Sequence, residues 1–345
     1  MTGRMATAAG TASVVIAAYT LERSAGLTRT VASAVSQQPR PHEVIVAVDN
    51  NLDLYKWVCR AVPAAVTVHN QGARGASATR NAGASVAVGS VLAFLDDDTV
   101  AGPGWLRNLT APLARPDVAG VGGYVEPMWF GRTPGWMPEE FLWVVGASYR
   151  GQPRTATTVR NVWSENMAVA RDDFWAVGGF REGFGKLGQV CRPEDTDFCI
   201  RLTTALGGRP WWYEPSARIG HNVPPHRGTL RYFVRRCYSE GQGKAELAAL
   251  LGRDEGLRDE RRHASRTLPQ GICRELRQAV LGREVGAAQR ASAICVGLTA
   301  AGLGYLVRRG RPPGPAAGPG GRRRVRGSGP MTAARDERNF GKGPS

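Results

Sequence analysis

From residue 12 onward the chain alternates short runs of β-branched and small apolar residues with longer stretches whose apolar positions recur at helical spacing. Residues 13–18 read as a strand, Leu27, Val31, Ala34 and Val35 mark one face of a helix, and residues 43–48 read as a second strand, with Pro or Gly at the borders. The alternation continues with a strand over 65–69, a helix through 76–88 and a strand over 91–95, and residues 118–125 predict one more strand. Strand, helix, strand at this spacing predicts a parallel sheet with crossover helices, so the first half is expected to be an open, mostly parallel α/β sheet flanked by helices. Ligands of such sheets bind beyond the carboxyl ends of the strands. Here those ends are Tyr19 to Arg23, Asp49-Asn50-Asn51 and Asp96 to Asp98, expected along one edge.

The pattern changes after residue 125. Residues 126–160 are aromatic and turn-rich, with Trp129, Trp136 and Trp143 set among Pro127, Pro134 and Pro138, and are expected to be a loop region shaping a pocket. A second acidic group, Glu194-Asp195, is read as the N-terminal cap of a helix, where carboxylates are favoured. Trp211-Trp212-Tyr213 and then His221 follow. Residues 245–285 look helical and mixed in charge, a small extension over the sheet's edge. Residues 291–307 form an uncharged run of seventeen, bounded by Arg290 and by Arg308-Arg309. Seventeen is the lower limit for crossing a bilayer, and the run is rich in Ala and Gly. Three readings stay open for it: a span, an interfacial or re-entrant helix, and a packing helix.

Composition narrows the class. With 345 residues, 42% of them hydrophobic, the chain can bury one large core or two modest ones, which excludes a small stapled module. Six scattered cysteines without a CxxC pair argue against a zinc site or a disulfide framework and for a reducing compartment. No leader peptide is expected, and residues 1–11 are expected to be frayed. The net charge is +16, but half of it lies in residues 308–345, where ten Arg and Lys face two acids among many Gly and Pro. That segment is expected to be a disordered basic tail over 310–345. Its charge suits an anionic surface, a membrane leaflet ahead of RNA. Without interleaved aromatics or a reading module it predicts no specific nucleic-acid partner, only salt-sensitive contact.

The sharpest chemical feature is residues 91–98, an apolar strand ending in Asp96-Asp97-Asp98. An unpaired buried carboxylate costs several kcal/mol or takes up a proton, so something cationic is expected at the strand's tip. Mg²⁺ or Mn²⁺ carrying a diphosphate answers that need, because these hard ions favour one or two carboxylates plus phosphate oxygens. Taken alone, the run fits a solvated acidic turn equally well. No GxGxxG follows the first strand, and Gly120, Gly122 and Gly123 open no helix, which disfavours a dinucleotide cofactor.

Taken together, the Ala-Ala-Tyr turn after the first strand, Asp49, Arg80-Asn81-Ala82-Gly83, Asp96-Asp97-Asp98, Gly178-Gly179-Phe180, Glu194-Asp195 and His221 resemble the family 2 glycosyltransferases of GT-A fold, over roughly residues 12–245. The resemblance implies transfer of a sugar, with inversion, from a nucleotide diphosphate sugar donor to an acceptor hydroxyl on a glycan or lipid-linked molecule. It implies donor contacts at Ala18, Tyr19, Glu22 and Asp49 (base and ribose), at Arg80 and Asn81 (near the phosphates) and at Asp96, with Asp97 beside it. Asp98 and His221 would hold the metal, and Asp195, with Glu194 next to it, would be the acidic base. Inverting displacement needs such a base to take the acceptor proton, and a positioned carboxylate typically contributes about 10²- to 10⁴-fold. The chain departs from common family patterns at Asp49-Asn50-Asn51, and residues 235–244, beginning Arg235-Arg236, stand where processive polymerases carry Gln-x-x-Arg-Trp. Transfer of a single sugar is therefore expected, in cell-envelope polysaccharide, glycolipid or glycoconjugate synthesis. The expected organisation is a transferase domain over 12–245 and a helical extension over 246–309, in a protein peripheral to or anchored at the cytoplasmic face of a membrane. A polyprenyl-phosphate sugar transferase is the alternative, and a non-enzymatic nucleic-acid or membrane binder acting through the basic tail is a further one.

Overall fold

Eleven strands are described: β1 (Ala12–Ala18), β2 (Glu43–Asp49), β3 (Val66–Asn70), β4 (Val91–Asp96), β5 (Thr99–Ala101), β6 (Gly120–Trp129), β7 (Thr157–Val159), β8 (Asn166–Ala170), β9 (Gly185–Leu187), β10 (Val190–Arg192) and β11 (Trp211–Val223). They belong to a computed structural model that describes residues 10–187, 190–252, 257–282 and 284–309. Nearly all of the frayed N-terminus and the whole basic tail expected from the sequence lie outside those residues. Nine of the strands make one sheet in the order β3-β2-β1-β4-β8-β6-β11-β5, with β7 added on β11, while β9 and β10 form a separate antiparallel pair. The helices are α1 (Ser24–Val35), α2 (Leu52–Ala61), α3 (Ala76–Val86), α4 (Trp105–Thr110), α5 (Arg171–Ala176), α6 (Glu194–Ala205), α7 (Leu230–Leu251), α8 (Arg258–Arg262), α9 (Leu268–Val280) and α10 (Ala287–Arg309).

The first four sheet neighbours are parallel, as the alternating pattern predicts. The central residues of β1, β2 and β4 are buried on both faces, which is why these three read as continuous apolar runs, while β3 at the sheet's edge is half-buried. One face carries Val14, Ile16, Val46, Val48, Ala93 and Leu95 under Leu27 and Val31 of α1 and Leu54 and Val58 of α2. The alternate residues Val15, Ile45, Leu92 and Phe94 meet Ala84 of α3 and a cluster of Phe174, Phe180, Phe198 and Trp211. Register fixes the strand ends in line: Ala18 pairs with Val48, and Ala17 with Asp96.

Beyond β4 the sheet becomes mixed. β8 runs antiparallel to both β4 and β6, and β6 and β11 are parallel to each other. The strand expected over 118–125 runs on to Trp129, so the aromatic segment expected to be a loop begins inside the sheet. The rest of it holds a 3-10 helix, Glu139–Val145, and β7. β11 shifts register between Glu214 and Arg218, an irregularity that accommodates Pro215 in the strand. The Asn166 amide donates to Tyr124 and Ala217 carbonyls (3.0 and 2.9 Å) and accepts from the Trp105 indole (2.8 Å), which pins β8 to that irregularity.

A third core joins the C-terminal helices to the aromatic segment: Met137, Phe141, Val144 and Val145 pack with Phe233 and Cys237 of α7, Leu268 of α9, and Ile294 and Ala300 of α10. α7 runs unbroken past residue 245, the end expected for the transferase domain. α7 and α10 touch backbone to backbone, since a Cβ on Gly241 would meet the Ala301 carbonyl oxygen at 1.9 Å and one on Gly304 the Tyr238 carbonyl oxygen at 2.0 Å. Only glycine permits so close a crossing.

Candidate active site

Asp96 closes β4, and Asp97-Asp98 turn the chain into β5, which lies antiparallel on β11 with Thr99 opposite His221. The Asn222 N–H donates to the Asp98 carbonyl (2.9 Å), so the acidic turn and the histidine, 123 positions later in the chain, are cross-strand neighbours. His221 Nε2 is 3.4 Å from Asp98 Oδ2. On its other side Nδ1 donates to the Gly146 carbonyl (2.9 Å), where Gly146 has φ 76°, a left-handed conformation suited to glycine. That bond fixes the ring so that Nε2 faces the acids.

Two arginines complete this group. Arg23 Nη1 lies 2.7 Å from Asp97 Oδ1 and 2.9 Å from Asp98 Oδ2, with its guanidinium 5.0 Å above the Tyr19 ring. Arg227 reaches to 4.0 Å from Asp98 Oδ2 and 3.3 Å from His221 Nε2. Burial would raise Asp98, but the hydrogen bond and charge of His221, with Arg23 and Arg227, hold it well below the usual carboxylate range. Burial carries Asp97 up to about 7 in spite of Arg23. For His221 burial acts downward, and the charges of Glu165 and Asp98 overcome it and bring the imidazole to about 9.

A second group lies beside the first. Arg80, buried on α3, places Nη2 2.5 Å from Asp96 Oδ1 and Nη1 3.5 Å from Glu194 Oε1. α6 begins at Glu194, and its cap residue is Pro193 with no side-chain bond, so the acidic pair expected as a cap is instead the first turn of the helix. Carboxylates are favoured there as well, by the helix dipole. Asp195 Oδ1 accepts the Ser164 N–H (3.1 Å). Burial raises Glu194 to about 8, aided by Asp195, and also raises Asp195. Asp197, two residues after Asp195, is fully buried and held by Arg181 and Arg201.

The remaining expected residues are spread along the same edge. Ala18 is buried at the end of β1, Tyr19 is exposed, and Glu22 is exposed in the short 3-10 turn Leu21–Arg23. The Asp49 carboxylate accepts the Gly75 N–H (2.9 Å) ahead of α3 and the Asn50 amide (3.0 Å). Asn81 is turned to the backbone of Phe180, accepting its N–H at 3.0 Å and donating to its carbonyl at 2.8 Å. Three members were not foreseen: Arg23, Arg227 and Glu165. Burial brings Glu165 up to about 8, although His221 acts the other way. Only Arg23 had a signal in the sequence, its place at the end of the first strand.

Six carboxyl groups (Asp96, Asp97, Asp98, Glu165, Glu194, Asp195) thus face three guanidinium groups and one imidazole. Such an excess in a buried place is relieved by protons or by a cation. Among the described residues no three His, Cys, Asp or Glu side chains converge as a metal cage. Asp98 and His221 do fit as a two-donor set for Mg²⁺ or Mn²⁺: donors bound side by side to one octahedral ion at about 2.1 Å lie about 3 Å apart, close to the 3.4 Å found. The fixed Nδ1–H leaves Nε2 as the ligating atom once deprotonated. Asp97 Oδ2, buried without a partner, is a further oxygen in need of one.

Comparison with known proteins gives this arrangement its context. The sequence model of glycosyl transferase family 2 matches residues 13–178. A glucosyl-dolichyl phosphate glucuronosyltransferase from Haloferax volcanii is 30% identical over 299 residues, 85% of this chain and 95% of the relative. The succinoglycan biosynthesis protein ExoM of Rhizobium meliloti is 29% identical over 57% of this chain and 60% of its own. Among solved structures, a mannosyltransferase from Pyrobaculum calidifontis, in complex with GDP-Man and Mn²⁺, superposes with a TM-score of 0.55 at 16% identity, covering 87% of this chain and 88% of that one.

Proposed function

The chain belongs to glycosyl transferase family 2 and has the GT-A fold, and on that premise we propose that it is an inverting, metal-dependent transferase moving one sugar from a nucleotide diphosphate sugar to an acceptor hydroxyl. The observation that carries this reading is the meeting of Asp98, His221, Arg80 and Asp195, from four separate elements, at one sheet edge. The donor's base and ribose lie against Tyr19 and Asp49, and Arg80 with Asp96 faces the phosphates. Asp98 and His221 hold the divalent ion, which when bound offsets the charge gathering on the departing diphosphate. Arg23 and Arg227 offset the charge of Asp97 and Asp98 while the donor is absent. Asp195 takes the proton of the acceptor hydroxyl as the new glycosidic bond forms. Burial raises its pKa and so makes the ionised carboxylate a stronger base, and the Ser164 N–H holds that carboxylate in place.

The test is thermal stabilisation of the protein by nucleotide diphosphates and their sugars with and without Mn²⁺, since a ligand bound to the folded state raises its apparent stability. A metal-dependent shift with one nucleotide is expected. Its absence in folded protein would sink the donor assignment. For the acceptor we favour a sugar carried on a polyprenyl phosphate, supported by the relative whose name couples glucuronosyl transfer with glucosyl-dolichyl phosphate and which this chain matches over 95% of its length. On this reading the protein works at the cytoplasmic face of a membrane.

A further inference from the structure

α10, 23 residues long and ending in Arg308-Arg309, is long and apolar enough to cross a bilayer. Its packing speaks against that use. Gly241 and Gly304 bring α7 and α10 into backbone contact, and Arg308 on α10 pairs with Glu246 on α7 at 2.6 Å. α7 also carries Arg231, Arg235, Arg236, Glu240 and Lys244, so a spanning α10 would drag a charged helix into hydrocarbon or be torn from it.

α10 also keeps an apolar, open surface: Val296, Leu303, Leu306 and Val307 are all exposed, Leu306 at 62%. Beside it runs a groove of about 790 Å³ between α7 and α10, lined by Leu230, Val234, Tyr238, Ala300 and Leu303 and by Arg231 and Arg235. Both arginines are exposed, with no ion pair among the described residues. No acidic residue occurs from Val285 to Arg335, and the nearest, Glu284, is paired with Arg290. An apolar stripe bordered by unpaired guanidinium groups matches the layering of an anionic lipid surface, acyl chains beneath phosphates. The chain's own C-terminal residues have the wrong sign to lie along those arginines.

We propose that this face, the open side of α10 with the groove and Arg231 and Arg235, docks the protein on an anionic phospholipid bilayer with α10 lying in the plane of the interface. This deepens the lipid-acceptor reading, and the chain path fits it: Leu230, which lines the groove and opens α7, comes three residues after Arg227 of the acidic site.

The test is flotation of the full chain with vesicles of phosphatidylcholine alone and of phosphatidylcholine with about one-third phosphatidylglycerol, at low and high salt. Binding to the anionic vesicles alone, weakened by salt, is expected. Arg231→Glu with Arg235→Glu should each way lower the partition coefficient by about tenfold or more, and so should Leu303→Gln with Leu306→Gln, in variants whose unfolding temperature is unchanged. Replacing Arg322, Arg323, Arg324 and Arg326 by Gln should weaken binding without abolishing it. Undiminished binding by the Leu303/Leu306 variant would overturn the proposal in favour of tail charge alone. Retention through an alkaline carbonate wash would overturn it in favour of a span, and a dimer lost in that variant would assign the face to a second copy. Neither donor nor acceptor is present, so failure here leaves the transferase reading standing.

Discussion

Asp195 and Asp98 do different work with the same functional group because their surroundings differ. Asp98 is surrounded by Arg23, Arg227 and His221 and stays ionised, whereas desolvation raises Asp195 against the pull of Arg80. Asp195→Asn is expected to lower kcat by at least about 10²-fold while donor affinity changes little; a variant with unchanged turnover would return the base to another residue. Activity should rise with pH through the ionisation of the Glu194–Asp195 pair, because only the deprotonated carboxylate accepts the acceptor's proton, and the rising limb should vanish in Asp195→Asn. Asp98→Ala and His221→Ala should each remove the Mn²⁺-dependent part of donor stabilisation, read as the shift in unfolding temperature with and without the ion. Asp97 is the most buried of the three acids and is bonded to Arg23. Arg23→Ala should therefore cost stability as well as donor binding, a double effect that urea denaturation and nucleotide titration separate.

The elements that could be read from the chain are those whose burial leaves a plain periodicity. β1, β2 and β4 are covered on both faces, so their apolar runs stand out, and the carboxylates at their ends are conspicuous by contrast. β8 was missed because five residues between a turn and the start of α5 give no period to count. β11 was obscured by Pro215, which the register shift and Asn166 absorb. Arg227 and Glu165 could not be found at all, since arginine and glutamate near a turn are the commonest of surface residues and only the pairings of β5 with β11 and of β4 with β8 give them a location. The helical crossing is equally mute in sequence, because glycines within an Ala-rich run look like weak helix formers. It is open to a direct test: Gly304→Ala should cost about 1–3 kcal/mol in urea denaturation through backbone collision, whereas Gly302→Ala, with open space around it, should be neutral or stabilise by up to about 1 kcal/mol.

Across the whole molecule, ion pairs tie the C-terminal helices to the segment that leads into β8. Glu260 of α8 lies 2.7 Å from Lys244 of α7 and 3.0 Å from Arg160. Burial alone would raise Glu260, but these two cations bring it down from 4.5 to about 2. A carboxyl lowered on folding stabilises the fold above its unfolded pKa, and that contribution is lost as pH falls from about 4.5 toward 2. Glu260→Gln should flatten the acid limb of stability in that window, measured by chemical denaturation at stepped pH. The continuity of α7 has a mechanical consequence. A helix of 22 residues is a stiff rod, and one end of this rod abuts the loop that carries Arg227 while its flank is clasped to α10. Arg227, whose guanidinium reaches Asp98 and His221, thus stands at the foot of a rod whose other end is clamped by the Arg308–Glu246 pair, so the position of that charge is set by a helix anchored far from the chemistry.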